Sequence, residues 1–156
     1  MKRKIGLAVL GLALVGLAAP AGAQTGNQSF LIHGEGDDPA TVVATGPTSG
    51  VGLDFESEAT ETAVFEFDGG GFAVDHPSDS DDFDFDPRTC IGTDRFTGTY
   101  SLSGGSGAYA GVSGTGTYRG RAIFVAKRLP DGSCSEEEAP VLNFFIVRAH
   151  GTTTLP

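Results

Sequence analysis

Hydrophobic and polar residues alternate in short runs along most of this 156-residue chain. A period of two places successive side chains on opposite faces of a β-strand, whereas an amphipathic helix has a period of 3.6 residues. Beyond residue 23, no apolar 3.6-residue period persists for three turns. The alternation predicts eight strands, at Ser29–His33, Thr41–Thr45, Thr60–Phe67, Gly71–Asp75, Asp81–Asp86, Phe96–Leu102, Thr117–Leu129 and Val141–Thr153.

Turn-forming residues separate these predicted strands. Glycine, proline and aspartate cluster between them, for example at Gly46-Pro47, Asp68-Gly69-Gly70 and Pro130-Asp131-Gly132. These connections have the length of hairpin loops, and eight strands joined in this way are typical of a sandwich or a closed barrel. The pattern therefore predicts an all-β fold with almost no helix.

The two longest predicted strands carry further information. One face of the strand Thr117–Leu129 is uncharged and mixes small with large side chains, which suits a tapering barrel interior. The strand Val141–Thr153 is apolar on both faces at its centre, unlike a strand that is wet on one side. Its outer face is therefore covered either by a loop of the same chain or by a second subunit. The second alternative predicts a homo-oligomer.

The first 23 residues have the layout of a secretory signal peptide. Lys2, Arg3 and Lys4 precede an apolar run over residues 5–19, and Ala21-Gly22-Ala23 supplies the small residues of a cleavage site. An uncleaved anchor is the alternative, but the run is shorter than the roughly 20 apolar residues that span a bilayer. We expect a secreted, extracellular protein of bacterial type. Residues 24–156 should form one domain with no stable membrane insertion after cleavage.

Acidic residues outnumber basic ones. The formal net charge is −10, and loss of the basic signal segment would lower it to −13. An acidic surface repels phosphate groups, so neither nucleic acid nor an anionic membrane surface is an expected partner.

Cys90 and Cys134 are the only cysteines of the chain. In a secreted protein such a pair predicts one disulfide bond, because the compartment is oxidising. Closing a loop of this length stabilises a protein by about 4 kcal/mol in the chain-entropy model. Two thiolates without a Cys-x-x-Cys pair are not typical of a metal site.

A glycine-rich run links two of the predicted strands. Its pattern is Gly-Gly-Ser-Gly-x-Tyr-x-Gly-x-x-Gly, at Gly104, Gly105, Ser106, Gly107, Tyr109, Gly111 and Gly114. This run resembles the signature of dirigent and allene-oxide-cyclase-like barrels, including small secreted bacterial members. The resemblance covers about a dozen residues directly. It implies a single antiparallel eight-stranded β-barrel with an apolar cavity, often as a trimer. No catalytic residue of that family aligns with this chain.

Three polar side chains are candidate ligand-binding residues. Tyr100 and Tyr118 fall on the apolar faces of their predicted strands, and Asn143 is the one polar side chain on an apolar face of the last strand. Buried phenols and amides need hydrogen-bond partners. These three side chains either contact a ligand or are satisfied inside the core.

Metal and cofactor chemistry have weak support in the sequence. The acidic run Asp79–Asp86 invites a calcium site, yet it lacks the glycine and glutamate of an EF-hand loop. Its alternation of aspartate with phenylalanine fits a strand with a solvated, charged face, which also discourages edge-to-edge aggregation. The three histidines lie far apart in the chain. We expect no metal site and no cofactor, and no motif identifies catalytic residues.

Three functions remain open on these grounds. The first is a barrel that binds or orients a small apolar molecule in its cavity. The second is a non-catalytic structural or surface-interaction module with a filled barrel, whose contacts involve an outer face with Ile123, Val125, Phe144 and Ile146. The third is a cyclase or isomerase, which needs a buried acid or base with a shifted pKa beside the cavity.

Overall fold

The computed structural model describes residues 22–36, 38–57, 60–135 and 137–156. The predicted signal peptide lies outside these residues, apart from its last two positions. The described residues form no α-helix, and the all-β prediction is confirmed. Their elements are β1 (Gln24–Glu35), β2 (Ala40–Thr45), β3 (Gly50–Ser57), β4 (Thr62–Phe67), β5 (Gly70–Asp75), β6 (Ser78–Asp86), β7 (Ile91–Ser103), a 3₁₀ turn (Gly107–Tyr109), β8 (Ser113–Val125) and β9 (Leu142–Leu155).

The nine strands form one antiparallel sheet that closes on itself. Each strand pairs with its neighbours in the order β5-β4-β3-β2-β1-β9-β8-β7-β6, and β5 also pairs with β7. β5 pairs with Ser101–Ser103 of β7, whereas β6 pairs with Ile91–Gly98 of the same strand apart from a bulge. β5 and β6 therefore share one position in the wall. The predicted closed, eight-stranded antiparallel barrel is confirmed.

Because the strands run alternately up and down, their connections fall at two ends of the barrel. One end, the mouth, holds the β1–β2, β3–β4, β6–β7 and β8–β9 connections. The other end, the base, holds the β2–β3, β4–β5 and β7–β8 connections, the start of β1 and the end of β9.

The strand β3 is absent from the eight strands that the alternation predicts. Its pattern is inverted, because Val51, Leu53 and Phe55 are exposed on the outer face. Asp54 is buried on the inner face, opposite Phe65 of β4. The prediction reaches eight wall positions without β3, because it gives the acidic strand β6 a position of its own. In the structure β6 shares a position with β5, and β3 supplies the eighth.

Several predicted boundaries are also wrong. β1 begins at Gln24 and β9 ends at Leu155, because these two residues pair across the closing seam of the barrel. β8 begins at Ser113, four residues before its predicted start, and ends at Val125. In these polar and glycine-rich segments the backbone N–H and C=O groups are paired between strands. The strands therefore extend through them, although the side chains show no apolar alternation.

Aromatic side chains fill much of the barrel interior. The Phe30 ring lies 5.4 Å from Phe65, 6.3 Å from Phe72 and 5.9 Å from Tyr100, measured between centroids. Phe72 is the largest fully buried side chain. Burying a side chain of this size contributes about 1.5–3 kcal/mol, and each edge-to-face pair adds about 0.5–1.5 kcal/mol.

The glycine-rich run closes the base of the barrel. Tyr109 packs its ring 5.5 Å from that of Phe67 and 5.6 Å from that of Phe72. The loop folds so tightly that a Cβ on Gly105 would lie 1.8 Å from the carbonyl oxygen of Tyr109. Glycine at position 105 is therefore required by a close backbone approach. The run is a structured plug of the barrel.

A buried amide also closes the base. Gln28 donates from Nε2 to the carbonyl oxygen of Thr48 at 2.9 Å, and its Oε1 accepts from the Thr48 backbone N–H at 3.0 Å. Both residues are almost completely buried. This pair satisfies the backbone of the β2–β3 connection in place of water.

The disulfide bond predicted between Cys90 and Cys134 is confirmed. It joins the β6–β7 turn to the long β8–β9 connection at the mouth, with the two Cα atoms 5.5 Å apart. No helix among the described residues is long and apolar enough to cross a membrane.

Candidate functional site

A cavity of about 240 Å³ lies inside the barrel. Its wall is largely apolar, and its polar side chains come from β3, from the β5–β6 bend, and from β7 and β8. The apolar wall includes Phe30, Ile32, Phe65, Val74, Phe96, Phe145 and Val147, and the polar groups are Asp54, Glu56, His76, Tyr100 and Tyr118.

Three of the polar groups lie toward the mouth of the barrel. Asp54 and Glu56 occupy the mouth end of β3, and His76 immediately follows β5 at the same end. The side chains of Glu56 and His76 remain 45% and 24% exposed. The base is closed by Tyr109 and Gln28, so the cavity meets solvent on the Glu56 and His76 side.

Asp54 is the most buried charged group of the cavity, with 7% of its surface exposed. Among the described residues, no hydrogen-bond donor reaches its Oδ1 atom. Burial, assisted by the nearby Glu56 carboxylate and opposed by His76, raises the pKa of Asp54 to about 7. Near neutral pH this carboxyl group exists in both protonated and ionised forms.

Glu56 and His76 form an ion pair at the rim. Glu56 Oε1 lies 2.8 Å from His76 Nε2. The adjacent Glu56 carboxylate raises the pKa of His76 above its ordinary value of 6.5, against the opposing effect of partial burial. Among the described residues, the imidazole forms its ion pair with Glu56 and not with Asp54.

Tyr100 and Tyr118, both predicted as ligand-binding residues, line the cavity. The Tyr118 hydroxyl donates to the backbone carbonyl oxygen of His76 at 3.0 Å, which ties β8 to the β5–β6 bend. The Tyr100 hydroxyl is buried and has no partner within the described part of the chain. Burial raises the pKa of both phenols, so they are neutral at physiological pH.

Asn143, the third predicted ligand-binding residue, lies outside the cavity lining. It is the second residue of β9, at the mouth, and pairs with Phe124 of β8. Its backbone carbonyl accepts from the Gly36 N–H at 2.8 Å. The structure thus brings two of the three predicted residues together in one cavity and places the third above it.

The acidic strand β6 lies beyond the cavity, in the part of the barrel wall toward the mouth. Phe83 and Phe85 stack on Phe124, with centroids 5.6 and 6.1 Å away, although Phe83 remains largely exposed. Asp82 and Asp84 are exposed on the opposite face, as the alternation predicts. Across residues 22–36, 38–57, 60–135 and 137–156, no three histidine, cysteine or acidic side chains are arranged to hold a metal ion.

The sequence analysis missed Asp54, Glu56 and His76. The first two lie on β3, whose exposed apolar face conceals the strand, and the third follows β5 without any motif. Acidic residues at alternating positions among Val51, Leu53 and Phe55 were the available signal. A strand that directs its carboxylates inward breaks the usual pattern, and such breaks are expected at functional sites.

Comparisons of this chain with protein-family models, with curated proteins and with solved structures find no match. The chemistry of the site therefore rests on its geometry. The cavity carries a carboxyl oxygen of Asp54 and the phenol of Tyr100, neither of which has a hydrogen-bond partner among the described residues. An apolar cavity of this kind can hold a small molecule and fix its orientation through one or two polar contacts.

Proposed function

We propose that this protein binds or orients a small, largely apolar molecule inside its barrel. The observation that carries the proposal is the 240 Å³ cavity, whose apolar lining includes polar atoms of Asp54 and Tyr100 that no group in the described ranges hydrogen-bonds. Small-molecule sites typically combine an apolar wall with a few convergent polar groups. The volume lies just below the usual range of about 300–1,000 Å³, which suits a small ligand.

The cavity favours this function over that of a filled structural module. A solid barrel would pack its interior to the density of a protein core, with few voids larger than a water molecule. Leaving a polar atom of Asp54 unpaired also costs about 1–3 kcal/mol, and a ligand that bonds to it recovers part of that cost. The unfilled volume beside Asp54 and Tyr100 is therefore better explained by a ligand than by stability.

Native mass spectrometry of the purified protein, under non-reducing conditions, tests the proposal. We expect one small molecule per chain, either retained from the producing cells or taken up from a panel of apolar compounds. A chain that stays empty across the panel would contradict the proposal.

The pKa of Asp54 supports a second candidate function, that of an isomerase or cyclase. A carboxyl group with a pKa of about 7 has the protonation balance of a general acid or base at neutral pH. We expect such an enzyme to exchange the acidic C–H protons of a small bound ketone with D₂O, and Asp54→Asn to abolish this exchange. Equal exchange in both proteins would exclude the role of Asp54.

Exposed apolar side chains support self-association as a further property. Phe144, on the predicted outer face of β9, is 39% exposed, and Val51, Leu53 and Phe55 form a second exposed group on β3. Contiguous patches of this kind are typical of interaction surfaces. We propose a homo-oligomer, and light scattering of the wild type and of Leu53→Thr/Phe55→Thr tests it. An unchanged monomeric mass in both would contradict it.

Secretion and kinship with the dirigent and allene-oxide-cyclase-like barrels also stand as proposals. The Cys90–Cys134 bond supports an oxidising compartment. The closed eight-stranded barrel supports the kinship. Amino-terminal sequencing of protein recovered from culture medium should begin at Gln24. Retention of the uncleaved chain inside the cells would contradict secretion.

A further inference from the structure

We infer that the ligand of the cavity is an organic cation, an amine or ammonium group attached to an apolar body. This inference rests on the proposed binding function and names the chemistry of the molecule bound. It follows from two features of the site, the unequal number of its acidic and basic groups and the aromatic rings beside Asp54.

Among the described residues, the cavity lining contains two carboxyl groups and one imidazole. The imidazole pairs with Glu56, whose Oε1 lies 2.8 Å from His76 Nε2. Asp54 is in none of the ion pairs formed within the described ranges, and no donor there reaches its Oδ1. An ionised carboxylate buried without a counter-charge is costly. A cationic ligand supplies the missing charge.

Aromatic rings line the same cavity as this carboxyl group. Phe65 is the direct cross-strand partner of Asp54, so their Cβ atoms lie about 4.5–5.5 Å apart on the inner face. The Phe65 ring lies 5.4 Å from that of Phe30, which in turn lies 5.9 Å from that of Tyr100. Rings near a carboxylate are the arrangement that holds ammonium groups through cation–π attraction.

A neutral ligand with a carbonyl group is the competing possibility, because a protonated Asp54 could donate to it. Such a ligand would use none of the cation–π attraction of the aromatic rings in the cavity. The two ligand types also differ in proton linkage. A cation binds the ionised form and releases a proton from Asp54, whereas a carbonyl acceptor binds the protonated form and takes one up.

The pH dependence follows from the groups that face Asp54. These are Glu56 on β3, His76 after β5, Tyr100 on β7 and Tyr118 on β8. The phenols stay neutral at physiological pH. Ionisation of Asp54 and deprotonation of His76 both make the cavity more negative as pH rises. Affinity for a cation should therefore rise between pH 5 and pH 8.

Isothermal titration calorimetry with benzylamine and benzyl alcohol tests the inference. The two probes have nearly the same shape, but benzylamine is cationic at neutral pH. We expect the wild type at pH 7.5 to prefer benzylamine by about tenfold or more. Asp54→Asn should remove that preference, while Asp84→Asn, which deletes an exposed charge on β6, should keep it.

Calorimetry of the wild type in two buffers of different ionisation enthalpy provides a second measurement that needs no variant. At pH 6.5, benzylamine binding should release protons. Equal affinity for the two probes, or proton uptake with a preference for the alcohol, would overturn the cation assignment and leave the binding function intact. Binding of neither probe would overturn both.

Discussion

Glu56 and His76 meet at the mouth of the cavity, with Oε1 of one 2.8 Å from Nε2 of the other. The contact joins the end of β3 to the bend that follows β5, across the width of one intervening strand. Within the described part of the chain, Asp54 is in no ion pair. Because the charges of Glu56 and His76 both shift the pKa of Asp54, the protonation of this pair and that of Asp54 depend on each other.

The first prediction concerns this pair. In Glu56→Gln, the pKa of His76 should fall, because the carboxylate that stabilises the imidazolium is lost. The His76 Hε1 resonance, followed by NMR across the pH range, measures the change. Glu66→Gln removes an exposed acid from β4 and should leave the midpoint unaltered. An unchanged midpoint in Glu56→Gln would show that the contact does not form in solution.

The second prediction concerns stability and Asp54. Its raised pKa means that the folded protein binds more protons than the unfolded chain between pH 3.8 and about 7, so stability falls as pH rises across that range. The raised pKa of His76 acts in the same direction, with its contribution lost above pH 6.5. Asp54→Asn should flatten the lower part of this decline.

Urea unfolding at pH 4 and pH 8 measures the effect. At pH 8 the free energy of unfolding of Asp54→Asn should exceed that of the wild type by on the order of 1–3 kcal/mol. The buried ionised acid is gone, although the amide that replaces it still lacks hydrogen-bond partners. Near pH 4 the two proteins should have similar free energies of unfolding, because Asp54 is then protonated in the wild type. The exposed Asp84→Asn should stay within about 0.5 kcal/mol of the wild type at both values. A stability gain that does not depend on pH would contradict the account.

The third prediction concerns the plug at the base. Tyr109→Ala should cost about 3–5 kcal/mol, because it removes a ring that packs on Phe67 and Phe72. Tyr109→Phe keeps the ring and should cost less than about 1 kcal/mol. Chemical denaturation of both variants measures the difference. Equal stability of the two would mean that the glycine-rich loop does not close the barrel.

The fourth prediction concerns the disulfide bond. Cys90→Ser/Cys134→Ser should lower the free energy of unfolding by about 2–4 kcal/mol, because the unfolded chain regains the entropy of an open loop of 44 residues. Reduction of the wild type provides the matched control and should have a comparable effect. A melting temperature that is insensitive to both changes would show that the bond contributes nothing to stability.

The barrel could be predicted from the sequence because most of its strands bury one apolar face. Tyr100 and Tyr118 could be placed inside it for the same reason, since each continues the inward alternation of its strand. The closing pair Gln24 and Leu155 could not, because backbone hydrogen bonds hold that seam and backbone groups are the same in every residue.

The acidic half of the site could not be predicted because β3 inverts the usual rule. Its apolar residues, such as Val51, face outward and its carboxylates face inward, so an analysis based on apolar alternation assigns no strand there. His76 carries no local signal either. It reaches Glu56 through the bend between β5 and β6, which depends on how both strands pair with β7.

We propose that the barrel interior binds a small apolar molecule. The most direct test of this proposal is a titration with benzyl alcohol followed by ¹H–¹⁵N NMR, in the wild type and in Val147→Phe, where the larger side chain fills the cavity. Ile123→Phe, on the outer face of β8, is the matched control. We expect shift changes at cavity residues such as Ile32 and Val74. These changes should persist in Ile123→Phe and disappear in Val147→Phe. Changes confined to the outer face, or unaffected by Val147→Phe, would contradict the proposal.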